Sequence, residues 1–135
     1  MSTEGPILER LERDVRDELS SLAERVTAQE AVRAQVGSTR NDAFPMRLHL
    51  SVHRSAEGDE LAIMMSAKSS DDGLVLEVDL LTEGGAVVAE GPSRHLPPGM
   101  SNREAEEAAA RWTKDFQQFL VESEETLLRT LRKLD

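Results

Sequence analysis

The chain has 135 residues, with 26 Asp and Glu against 16 Lys and Arg, a formal net charge of −10 and no cysteine. This length suits a single domain with one core, and 39% hydrophobic with 31% charged residues is too apolar for a disordered acidic tail and too polar for a membrane protein. The acidic balance repels phosphate backbones and anionic lipid, and without cysteine there is no disulfide, thiolate zinc site or cysteine nucleophile.

The amino-terminal stretch MSTEGPILERLERD becomes charged within ten residues and has no apolar core, so it is not expected to act as a secretory signal. Gly5 and Pro6 suit a helix start, because proline there gives up only an N–H that is already unpaired. Leu8, Leu11, Val15, Leu19, Leu22 and Val26 recur with a mean spacing of 3.6, the period of a straight helix with one buried stripe. The stripe weakens through Ala28, Ala31, Val32, Ala34 and Val36, so the helix is expected to run from Pro6 to Val36 and stop at Gly37. Thr27-Ala-Gln-Glu30 has the form of a capping box, and a break and restart there is the alternative.

From Met46 the period changes to two. Met46, Leu48, Leu50 and Val52 alternate with polar residues, followed by Leu61, Ile63, Met65 and Ala67, then by Leu74, Leu76, Val78 and Leu80, and last by a short strand, AVVAE. Short polar loops between these runs predict a four-stranded antiparallel meander with one covered face. GPSRHLPPGM reads as a connector. Ser101-Asn-Arg-Glu104 is a second capping box and opens a last helix, whose stripe is Ala105, Ala108, Trp112, Phe116, Phe119, Ser123, Leu127, Leu131 and Leu134. The expected fold is therefore α+β over residues 1–135: a long helix, four strands and a long helix, both helices on one sheet face.

The chain carries no motif that specifies chemistry. Gly84-Gly85 sits in a hairpin with no P-loop lysine after it. His49 and His53 share a strand face, but four residues in a strand span about 13 Å, too far to grip one metal. No serine occupies a strand-to-helix nucleophile elbow, and Glu77 with Asp79 reads as a solvated pair rather than an acid–base couple. No catalytic residue, cofactor or metal ligand is expected.

Two features point to partners. Ala62, Met64, Val75, Leu81, Val87 and Ala89 share the outer sheet side with His49, Glu77 and Asp79, more apolar area than a solvated face needs. The helices, at about 45 and 50 Å, overhang strands of about 30 Å, so Leu127, Leu131 and Leu134 need cover from the first helix or from a second subunit. The expectation is a non-catalytic, acidic, cytoplasmic protein-binding module of adaptor, chaperone-like or immunity-like kind. It would bind another protein through Met64, Val75, Glu77, Asp79 and Leu81, and form a homodimer through Leu127, Leu131 and Leu134. A small-ligand domain or small enzyme, with a pocket between helices and sheet, is the alternative.

Overall fold

The computed structural model describes residues 4–54, 60–82 and 84–133. It holds an N-terminal helix α1 (Glu4–Gln29), strands β1 (Arg33–Ser38), β2 (Met46–His53), β3 (Glu60–Ser70), β4 (Gly73–Thr82), β5 (Val87–Glu90) and β6 (Arg94–Leu96), and a C-terminal helix α2 (Asn102–Lys133). The strands form one antiparallel sheet in the order β1-β2-β3-β4-β5, with β6 also on β4. The chain is thus α+β, with the four expected strands and two more.

The first addition corrects the reading of the N-terminal helix, which ends at Gln29 rather than Val36. Val32, Ala34 and Val36 are spaced by two, which scatters them around a helix but puts them on one side of a strand. In β1 Ala34 pairs with Val52 and Val36 with Leu50, and all three apolar residues pack against the core. Thr27 opens no new helix, since its hydroxyl donates back to the Ala23 carbonyl at 2.9 Å, inside α1. Gly37 is a strand residue whose missing side chain makes room for His49. A Cβ there would stand 2.7 Å from the imidazole Cε1.

The second addition is β6, inside the expected connector. β5 covers β4 only at Asp79–Leu81, and β6 covers it at Leu74–Leu76, so the two short strands share one edge. Gly91 begins the link between them. Its N–H donates to the Val78 carbonyl at 2.9 Å, and a Cβ would meet Val78 Cγ1 at 2.6 Å, so the close approach requires glycine.

The apolar positions of β2, β3 and β4 are buried in one core with the stripes of α1 and α2. Ile7 is buried where Leu8 was expected, and Leu11, Val15, Leu19, Leu22 and Val26 hold the stripe. Ser101 caps α2 as its sequence predicts, its hydroxyl accepting from the Glu104 N–H at 3.2 Å. Trp112 stacks on Phe116 with centroids 5.1 Å apart and donates to the Pro92 carbonyl. Ser123 is buried and its hydroxyl has no partner among the described residues.

The two helices run parallel and in register. Gln117 donates to Glu18 and Arg25 pairs with Glu124, both across an offset of 99 residues, while Arg132 pairs with Glu30 across 102. Near its end α2 is therefore covered by the end of α1. Leu127 and Leu131 are 0% exposed in the single chain. Of the two covers expected for them, the first helix or a second subunit, the first helix lies beside them within the chain. Leu134 lies outside the described residues.

Candidate functional site

The sheet alternates strictly, so the register decides which polar-side residues meet. Across β2, β3 and β4 one row reads His49, Met64, Asp79, ending in Glu90 on β5. The next row along the strands reads Arg47, Ser66, Glu77, and on the other side another reads Ser51, Ala62, Leu81. Val75 lies between Lys68 and His95. The five residues expected to bind a partner, Met64, Val75, Glu77, Asp79 and Leu81, therefore share one face, on β3 and β4. Met64, Val75, Asp79 and Leu81 are part-buried by their neighbours, and Glu77 is exposed.

Ala89 does not belong to this face. The register slips between Leu80 and Leu81, where Leu80 meets Ala89 and Leu81 meets Val87. The extra residue of this bulge turns Ala89 toward the core, against which it packs, while Val87 and Val88 remain 51% and 38% exposed. Alternation alone cannot show such a slip.

The face is split by charge, a feature that the list of acidic and apolar residues misses. On β2, Arg47 lays its guanidinium 3.7 Å from the Phe44 ring centroid, and its buried Nε has no hydrogen-bond partner among the described residues. On β4 and β5 stand Glu77, Asp79 and Glu90. Neighbouring strands lie about 4.8 Å apart, so β2 and β4 are separated by roughly 9–10 Å, with Ala62, Met64 and Ser66 of β3 between. The ion pairs among the described residues all involve a helix or its end, at Glu12, Arg16, Arg25, Glu30, Arg103 and Glu124 among others. None uses Arg47, Glu77, Asp79 or Glu90. The Asp79 carboxyl is raised above its ordinary 3.8, first by burial and then by repulsion from Glu90, against a smaller opposing effect of the Gly91 N–H.

Two open hollows mark the face. One, of about 370 Å³, is bordered by Arg47, His49, Ser51, Ala62, Met64 and Leu81, with no carboxylate among the described residues of its rim. The other, of about 770 Å³, lies beside Lys68, Asp72, Val75, Glu77 and His95. There His95 Nε2 lies 2.6 Å from the Asp72 carbonyl, which can only accept, so Nε2 carries the proton. A third hollow, of about 600 Å³, separates the first halves of the helices near Ile7, Leu11, Glu106 and Ala109. His49 and His53 point outward from β2, and no group of three or more His, Asp or Glu among the described residues is placed to hold a metal. No described helix is long and apolar enough to cross a membrane. The arrangement can recognise shape and charge over a broad face. Comparison with known protein families, with curated proteins and with solved structures finds no match.

Proposed function

We propose that this chain is a non-catalytic, acidic protein-binding module of the cytoplasm, in the manner of an adaptor, chaperone or immunity protein. Both helices cover one face of the sheet, and the other face takes the partner. The observation that carries this reading is the composition of the outer face: part-buried Met64, Val75 and Leu81 share it with Arg47, Glu77 and Asp79, which enter no ion pair among the described residues. Apolar area at the centre of a contact supplies affinity, and unmatched charges at its rim supply orientation and rate.

The test uses the tagged full chain as bait in native lysate, beside a Met64→Asp variant. A partner held by the wild type is expected to be lost by the variant, with the melting temperature preserved. Equal capture by Met64→Asp, Val75→Asp and Leu81→Asp would remove the face. Reversing Glu77 and Asp79 is expected to slow association with a basic partner and reduce its salt dependence.

A second reading rests on the 370 Å³ hollow, whose described residues include Arg47 and His49 but no acid. It would serve a small anionic ligand. Thermal stabilisation by a small carboxylate or phosphate, lost in Arg47→Met, would favour that reading over a protein partner.

A further inference from the structure

We infer that the outer sheet face pairs with the same face of a second copy, about a two-fold axis lying along β3. This rests on the protein-binding reading of that face and names its occupant. Two sheets packed face to face keep their strands roughly aligned, about 10 Å apart. A two-fold axis parallel to β3 keeps each row of the sheet opposite itself and exchanges the β2 side with the β4 side. Arg47 of one copy then stands over Glu77 of the other, and His49 over Asp79, each contact occurring twice. Met64 and Ala62 meet their own counterparts on the axis, and the hollow they border closes against its own copy. Both are part-buried in the single chain.

The unmatched charges carry the argument. Within one chain Arg47 and Glu77 are in the same row but two strands apart, with the short Ser66 between them, and they form no ion pair. Asp79 has Glu90 as its cross-strand neighbour and enters no ion pair among the described residues. A second copy in this orientation brings Arg47 toward Glu77 and His49 toward Asp79, whereas an axis across the strands through the Met64 row would put His49 on His49 and Asp79 on Asp79. The self-complementary patch is what an isologous contact requires. Four strands about 4.8 Å apart, each about 25 Å long, present roughly 500 Å² in projection per copy, at the low end of specific interfaces. The dimer is accordingly of micromolar strength. Its contact is continuous, on the side away from the helices, and does not involve Leu127 or Leu131.

Sedimentation equilibrium of the full chain across the micromolar range reads the association directly. The wild type is expected to move from one to two chain masses. A pair of charge variants then tests the orientation: Glu77→Arg with Asp79→Arg, and Arg47→Glu with His49→Glu. Each variant alone is expected to stay monomeric, because like charges face each other, and an equimolar mixture is expected to regain two chain masses. That recovery cannot arise from misfolding. Lys68 lies on the axis and meets its own copy, so Lys68→Ala is expected to tighten the dimer severalfold. A wild type that remains monomeric at high micromolar concentration overturns the inference, as does a dimer that ignores these variants and their mixture. A monomer that still loses a captured partner on Met64→Asp would leave the protein-binding reading intact and sink only the second copy as occupant.

Discussion

Asp79 and Glu90 face each other across β4 and β5, and that juxtaposition has a measurable cost. Burial raises the Asp79 carboxyl above 3.8, Glu90 raises it further, and the Gly91 N–H opposes both more weakly. The folded chain holds this proton more tightly than the unfolded chain, so ionisation works against folding. The cost is absent below the unfolded value of 3.8, grows as pH rises through the folded value, and is fully present above it. Asp79→Asn, at concentrations dilute enough to keep the chain monomeric, should therefore melt higher than the wild type at neutral pH. The gain should shrink to nothing as pH falls below 3.8. Paired thermal melts across that range decide it, and a gain that persists in acid would show that charge is not its cause. A residue kept ionised at a cost to its own fold fits a surface that meets a cation elsewhere.

At the scale of elements, Glu30 ties three ends together. It follows α1, contacts Arg132 of α2 at 2.6 Å and Arg54, just beyond β2, at 3.7 Å, while Arg54 also donates to the Leu131 carbonyl at 3.0 Å. Glu30 and Arg54 side chains are only 15% and 25% exposed, so solvent screens that pair less than it screens Arg132 at 61%. Glu30→Ala should cost about 1–3 kcal/mol in urea unfolding, because Arg54 loses a charged partner near the core. A double-mutant cycle should place most of the coupling with Arg54 and little with Arg132. The same region explains what was legible in the sequence. Most of both helical stripes, the capping Ser101 and the inner positions of β2, β3 and β4 follow from period, whereas Ile7 is buried in place of Leu8 and Ala89 of β5 turns inward. β1 was also encoded, in Val32, Ala34 and Val36, but the preceding helical stripe and the form of Thr27–Glu30 masked the change of period. β6 was not legible: three residues between Pro92 and Pro97 have no period, and they become a strand because β5 leaves that edge of β4 free. Of the candidate site, the shared face of Met64, Val75, Glu77, Asp79 and Leu81 followed from alternation. The opposition of Arg47 to Glu77 depends on strand register, and the turn of Ala89 toward the core depends on a bulge.

For the whole molecule, the decisive relation is the parallel pairing of α1 and α2. It accompanies the full burial of Leu127 and Leu131 within a single chain. Stability and association should therefore be separable, since the first draws on the helix side and the second on the bare side. Leu131→Ala removes a side chain with no exposed area and should cost about 2–5 kcal/mol of unfolding free energy, through lost burial and the cavity left behind. In buffer where the variant is still folded, its sedimentation behaviour should match the wild type's. Met64→Asp should do the reverse. Its position is part-buried at the surface, where a charge can reach water in the monomer, so the melting temperature should change little while association is lost. Urea unfolding and sedimentation on the two variants give four readings, and the expected pattern is crossed. If Leu131→Ala weakened association without loss of stability, the helix ends would be an interface after all, and the parallel packing of α1 on α2 would be wrong.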